Sequence, residues 1–266
     1  MSLIQDLISL KERNAVVTGA SGGIGQQIAI TLAELGANLV LVDRPKADYG
    51  QLLNTLKNFN VNVLIVECDL EHESDRDNLI LTIEKQKGPL NILVNNAAFV
   101  GDSDLDGWTT KLQDQTIDTW KRALEVNLTS VFDLSKRLAP KLKKSKHGSI
   151  INISSIYGVL GPNYSLYSGT KMGNPAAYSA SKGGVTQLTR WFSTTLAPDI
   201  RVNSISPGGV FRNQPDKFVN RYVSNTPLLR MAKEEDFKGA IAYFSSDLSE
   251  YVTGQDLLVD GGWSAW

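Results

Sequence analysis

"TGASGGIG", residues Thr18 to Gly25, follows the β-branched run "NAVVT" and opens a stretch where Ile24, Ile28, Leu32 and Leu35 recur at helical spacing. A strand that enters a glycine turn and leaves as an amphipathic helix is the first half of a βαβ unit, and Gly36 supplies the signal that ends the helix. Glycines in such a turn let the backbone bend sharply and approach a pyrophosphate, while free N–H groups at the helix start receive negative charge. Taken alone, the turn is equally a point of close strand-to-helix packing. Asp43, which closes the next apolar run "NLVLVD" 18 residues beyond Gly25, adds a carboxylate where a ribose diol would donate hydrogen bonds. An aspartate there also serves as a plain loop cap; turn and carboxylate together point to a dinucleotide.

The same alternation runs on. Strand candidates are 14–19, 38–43, "NVLIVECD" (62–69), "LNILVNN" (90–96), "GSIINIS" (148–154), "IRVNSIS" (200–206) and "DLLVDG" (256–261), with helical patterns between them. Each parallel crossover needs a helix, so the expected fold is α/β: a doubly wound parallel sheet of Rossmann type, about seven strands, in a single domain over 1–266. Its size and 42% hydrophobic content suit one large core.

A formal charge of −1 gives no field to attract nucleic acid or an anionic membrane, and no apolar run reaches the ~20 residues of a membrane span. The start, "MSLIQDLISLKER", has no basic leader or cleavage signal, so a cytoplasmic location is expected. With Cys68 the lone cysteine and only two histidines, His72 and His147, each beside charged residues, no disulfide or zinc site is expected. The basic run "KLKKSKHG" (141–148) reads as a solvated helix end.

One pattern occurs twice in "YSGTKMGNPAAYSASKGG" (167–184): Tyr167 stands four before Lys171, and Tyr178 four before Lys182. A helix puts each pair on one face. Gly173 and Pro175 break a helix begun at the first pair, whereas Val185, Leu188, Phe192 and Leu196 continue one through the second. Helix continuity assigns the chemistry to Tyr178 and Lys182.

In order, "TGASGGIG", Asp43, Asp69, "NNAA" (95–98), Asn127 in "EVNL", Ser155 in "NISSIYG", "YSASK" (178–182), "SPGG" (206–209) and "YVTGQDLLVDGG" (251–262) resemble the landmarks of the short-chain dehydrogenases/reductases, over about Leu10 to Gly262. The resemblance implies that Gly19, Gly23 and Gly25, with Ser21 and Ile24, line the pyrophosphate, and that Asp69 contacts adenine. It implies that Asn95 supports the cofactor edge, with Pro207, Gly208, Tyr178 and Lys182 also at the cofactor. Asn127, Ser155, Tyr178 and Lys182 are then the catalytic group. A phenol with pKa ~10 is a poor base at neutral pH, so the expectation is that Lys182 lowers it, Ser155 bonds the substrate oxygen and Asn127 holds Lys182 through a water. Asp43 repels a 2′-phosphate, which favours NAD over NADP, although Arg44 offers a phosphate partner.

Two departures stand out: Ala98 replaces the usual glycine of "NNAG", and Arg212 stands where many relatives have threonine. The first Tyr–Lys pair falls in an insertion, 160–177, expected to pass over the active site. There Tyr164, Tyr167 or Lys171 contacts substrate, or the loop is merely an ordered surface feature. A long segment at 99–116 and a mobile substrate loop at 211–231 complete the expected cleft, and "RNQPDKFVNRY" suits a polar, hydroxyl-rich small molecule.

The insertion also resembles a subgroup tied to flagellin modification and surface polysaccharides, which implies oxidation or reduction of a sugar or nucleotide-sugar. A 3-oxoacyl-thioester reductase, a polyol dehydrogenase and a catalytically silent dinucleotide sensor are the alternatives. Relatives of this family are commonly tetramers, so a homotetramer or homodimer is expected, with Trp263 and Trp266 as interface or core-edge residues.

Overall fold

Alternation along each strand builds the molecule. Ala15 and Val17 face one apolar core together with Leu39, Leu41, Ile92 and Val94, while Val16, Val42 and Leu93 face a second core across the sheet. A strand buried on both faces must be covered by helices on both, which requires crossovers. In the computed structural model, which describes residues 3–100 and 105–266, that is the arrangement found. The order is α1 (Ile4–Ile8), β1 (Asn14–Thr18), α2 (Gly23–Glu34), β2 (Asn38–Asp43), α3 (Gly50–Leu56), β3 (Val63–Glu67), α4 (Glu73–Lys85) and β4 (Ile92–Asn95). There follow α5 (Ile117–Leu124), α6 (Ser130–Lys143), β5 (Gly148–Ile153), α7 (Ala176–Thr195), β6 (Ile200–Pro207), α8 (Asp216–Ser224), α9 (Lys238–Ser245) and β7 (Asp256–Val259).

The seven strands form one parallel sheet in the order β3-β2-β1-β4-β5-β6-β7. Succession reverses between β1 and β4, the place where a doubly wound sheet opens a crevice at the carboxyl ends of its strands. Ile28 and Leu32 of α2 and Phe244 of α9 fill the first core; Leu79 of α4, Leu134 and Leu138 of α6 and Phe192 of α7 fill the second. All seven expected strands are present, most of them one to three residues shorter, because the outer residues turn toward the helices. Among the described residues no helix is long and apolar enough to cross a membrane.

Two helices decide where chemistry is placed. α2 ends as expected at a Gly36 with φ of 100°, a left-handed conformation that favours glycine. α7 begins only after Pro175, which stands at its N-cap, and runs 20 residues. A Cβ on Gly184 would lie 2.8 Å from the Leu128 side chain, so glycine there lets α7 approach the π-helical turn Glu125–Thr129 between α5 and α6. At the end of α6, Lys141 donates to the carbonyl oxygens of Glu84 and Gln86 at 3.0 and 2.7 Å, so this member of the basic run satisfies a neighbouring helix end. Of the 99–116 segment, residues 101–104 lie outside the described residues, as do Met1 and Ser2 at the start; the rest includes Trp108, 1% exposed and packed edge-on against Phe99.

Candidate active site

The crevice is a cleft of about 810 Å³ at the carboxyl ends of the central strands. One flank is the glycine turn. Gly19 has φ of 63°, and a Cβ on it would lie 2.7 Å from the Ala97 Cα; one on Gly25 would lie 2.9 Å from the Ala20 Cα. Only glycine therefore lets the turn close down on β1 and β4. No side chain makes a capping hydrogen bond at the start of α2, so its first amide groups are left for a ligand on the cleft. A glycine cradle ending in an uncapped helix start fits the diphosphate of a dinucleotide.

Gly19, Ser21, Gly23, Ile24 and Gly25 all line the cleft. So do Asp43, Asp69, Pro207 and Gly208. Asp43 is tied to the turn: its Oδ2 accepts from the Ser21 backbone at 2.9 Å and from the Ser21 hydroxyl at 2.7 Å, while Oδ1 accepts from the Arg44 N–H at 2.8 Å. The carboxylate thus fixes the end of β2 against the glycine turn and retains lone pairs facing the cleft. Asp69 accepts from the Glu71 N–H at 3.0 Å.

Asn95 is a correction. It is 3% exposed and turned into the core, donating to Ser135 at 3.1 Å and to Asn152 at 2.9 Å. Its neighbour Asn96 lines the cleft instead, donating to the Thr18 and Gly19 carbonyl oxygens at 2.9 and 3.0 Å and so bracing the glycine turn. Alternation along β4 was the available signal: Val94 faces one core and Leu93 the other, and a polar pair at the strand end must divide between interior and crevice.

On the opposite flank stand Ser155, Tyr178 and Lys182. Ser155 follows β5, is 7% exposed and is hydrogen-bonded through its side chain to Tyr178. Its Oγ also accepts from the Tyr157 N–H at 3.2 Å. Lys182 is 2% exposed, one helical turn beyond Tyr178; its Nζ donates to the Ile153 carbonyl at 2.8 Å and lies 5.8 Å from the centre of the Tyr178 ring.

The expectation that Lys182 acidifies the phenol is not met in this arrangement. Burial pushes the Tyr178 phenol above its usual value, against smaller lowering effects from the Ser155 hydrogen bond and the Arg212 charge. Burial likewise lowers the Lys182 ammonium to about 8. The ammonium donates to a strand carbonyl and so positions α7 against β5.

Asn127 lies one layer back, in the π-helical turn. It accepts from the Phe99 N–H at 2.5 Å and donates to the Phe99 carbonyl at 3.3 Å and to Ser181 at 3.0 Å. Its direct partners are thus the residue before Lys182 and the loop after β4, which it joins to α7.

The insertion does not reach the cleft wall. Tyr164 is 63% exposed and Lys171 is exposed. Tyr167 shares a 2.6 Å hydroxyl contact with Tyr157 and packs against Phe218 of α8, ring centres 5.5 Å apart. Arg221 of α8 donates to the Leu166 carbonyl at 3.2 Å and to that of Ser168. The segment is an ordered brace for α8, because its apolar Leu166 and the Tyr167 ring pack with Phe218, Tyr222 and Met231. In 211–231, Tyr222 of α8 accepts from the Gly209 N–H at 2.6 Å and stacks on Trp263, ring centres 4.4 Å apart.

Sequence reasoning treated Arg212 only as a departure. It lines the cleft with Gln214, which accepts from the Arg212 N–H at 2.7 Å, and its guanidinium meets Glu234 at 3.2 Å. Ala98 also lines the cleft.

A family model described as Enoyl-(Acyl carrier protein) reductase matches residues 19–264. The chain is 30% identical to an NADP-dependent mannitol dehydrogenase of Alternaria alternata, over 98% of this chain and 95% of the relative. It is 32% identical to a 3-oxoacyl-(acyl-carrier-protein) reductase of Rickettsia felis, over 96% of this chain and 98% of the relative. Among solved structures, a short chain dehydrogenase from Leptospira borgpetersenii with bound NAD+ is similar with a TM-score of 0.84 at 30% identity, covering 99% of this chain and 96% of that one.

Proposed function

The chain belongs to the short-chain dehydrogenases/reductases and is an oxidoreductase that interconverts an alcohol and a carbonyl; we propose that it does so on a sugar or nucleotide-sugar, with NAD as the preferred cofactor. The observation that carries the reading is the meeting, on the wall of one cleft, of Ser155, Tyr178 and Lys182 with a glycine turn that fits a diphosphate.

A nicotinamide dinucleotide, when bound, supplies or accepts the hydride. Gly19, Ser21, Gly23, Ile24 and Gly25 hold its diphosphate, Asp43 its adenosine ribose and Asp69 its adenine, with Pro207 and Gly208 bordering the far end. Tyr178 gives a proton to the carbonyl oxygen in reduction and takes it back in oxidation. Ser155 donates a hydrogen bond to the same oxygen, a kind of contact worth about 2.7–4 kcal/mol where charge develops. Lys182, fastened to Ile153, sets the height of α7 and adds positive charge beneath the phenol. Asn127 keeps the turn before Lys182 in register. Burial holds the Tyr178 phenol above its usual value, which suits it to carry the proton that carbonyl reduction needs.

Asp43 supports NAD through like-charge repulsion of a 2′-phosphate. Polar substrates are supported by Arg212 and Gln214 at the cleft and by the likeness to a mannitol dehydrogenase, and the insertion favours surface-glycan or flagellin modification. The likeness to a 3-oxoacyl reductase supports a second reading, acyl-thioester reduction. Assembly into a homotetramer or homodimer is supported by two aromatic residues exposed on adjacent helices, Phe132 on α6 at 40% and Trp191 on α7 at 51%. The test is a panel of nucleotide-sugars, sugars, polyols and acyl thioesters with each cofactor, following reduced nicotinamide by absorbance. Turnover confined to acyl thioesters rejects the sugar reading, and a higher kcat/KM with NADP rejects the cofactor preference.

A further inference from the structure

The mouth of the glycine turn carries an ion pair from outside the turn. Arg212, after β6, and Glu234, before α9, come from separate segments and meet at 3.2 Å. Both lie directly on the first residue of α2: a Cβ on Gly23 would stand 2.6 Å from Glu234 Oε1 and 3.2 Å from Arg212 Nη2. The two charged side chains thus occupy the space above Gly23. The sequence offers no lysine or arginine within the turn itself, "GASGGIG". Of the other cations on the cleft, Arg122 is paired with Glu71 at 2.7 Å, Lys182 is fastened to a carbonyl, and Arg44 follows Asp43 at the end of β2, beside the carboxylate proposed for the ribose.

A carboxylate at a helix start is electrostatically favourable, as is the phosphate the cradle fits; the two cannot share one place. A carboxylate beside a diphosphate is repelled, and a guanidinium between them gains a stronger partner by turning its fork to the phosphate.

We propose that Arg212 and Glu234 form an anion-exchange latch over α2: Glu234 holds the guanidinium at the helix start, and the diphosphate of the dinucleotide displaces Glu234 and takes Arg212 as its counter-ion. The inference rests on the dinucleotide reading of the cleft. It gives Arg212 a binding role at a position where a threonine hydroxyl is common in the family, and makes Glu234 a competitor that sets how tightly the diphosphate is held. Both side chains are partly exposed, so neither carries the fold.

Titration calorimetry with ADP-ribose, which contains the diphosphate, and with AMP, which does not, tests the latch without turnover. Arg212→Ala weakens ADP-ribose about tenfold or more and AMP less than threefold. Glu234→Gln tightens ADP-ribose a few-fold, and that gain disappears when Arg212 is also alanine. Thermal unfolding without nucleotide stays within about 2 °C for all three variants, in line with an exposed pair. The latch is overturned if Arg212→Ala leaves ADP-ribose within twofold of the unaltered protein, if it weakens AMP equally, or if Glu234→Gln weakens ADP-ribose as Arg212→Ala does, which would mark the pair as a loop tie. Failure of the unaltered protein to bind ADP-ribose overturns the dinucleotide reading itself; binding that ignores Arg212 overturns the latch alone.

Discussion

Tyr167 with Lys171 and Tyr178 with Lys182 share a four-residue spacing, and the fold treats them oppositely. The second pair rides one turn apart on α7, with Lys182 buried against Ile153 and Tyr178 on the cleft. The first straddles a 3₁₀ turn, Tyr164–Tyr167, and a coil that ends at Pro175, so its lysine points to solvent while its tyrosine bonds to Tyr157. Spacing proposes a shared face, and only an unbroken helix supplies one.

The widest separation between the pairs is in turnover. Tyr178→Phe is expected to lower kcat about a thousandfold, the size of a lost proton donor, with little change in ADP-ribose binding, whereas Tyr167→Phe leaves kcat within about threefold. Comparable losses from the two would erase the distinction.

Replacing the lysines comes next. Lys182→Met lowers kcat about a hundredfold yet does not lower the unfolding midpoint at pH 7, because it removes an ammonium held by burial at about 8. The sign follows from linkage: a lysine with a depressed folded-state value binds more protons when unfolded, so stability rises with pH between about 8 and 10.5 and is flat below 8. The penalty at pH 7 is on the order of 3 kcal/mol. Denaturant melts across that range measure it, and in Lys182→Met the rise vanishes.

A smaller effect lies in the pH profile. With Tyr178 held protonated, kcat/KM for carbonyl reduction is expected to be level from about pH 6 to 7.5 and to fall above about 8 as Lys182 loses its charge. A profile that instead climbs steadily through pH 8 contradicts the acid role given to the phenol. Smallest of all, Tyr167→Phe costs about 1 kcal/mol of stability for its lost hydroxyl contact, and Lys171→Ala costs nothing measurable in melts or in KM.

Much of this was legible in the chain. The seven strands announced themselves as apolar, β-branched runs bounded by turns, the central ones buried on both faces, and β1 with the glycine turn set the crevice. Tyr178 and Lys182 were legible because Gly173 and Pro175 fall before the second pair while apolar helical spacing continues after it, and Ser155 was legible only through the likeness to the family's landmarks. Asn95 and Asn96 were misassigned although alternation along β4 separates them, because the family likeness was followed in place of the strand's own period. The role of Lys182 was misjudged because the Ile153 carbonyl that takes its hydrogen bond is 29 residues away. The insertion was placed over the active site because nothing local reveals that Arg221 and Phe218, on a helix some 50 residues later, hold it elsewhere. Partners distant in sequence are what a pattern of neighbours does not carry.

The brace between the insertion and α8 separates two tasks usually confounded in one wall. Exchanging residues 160–170 alters the footing of a helix whose Tyr222 grips Gly209, two residues past β6, and reaches Ser155 only through Tyr157. Selectivity can thus drift from the periphery inward, through the footing of one helix, while Tyr178 and Lys182 keep their places on another.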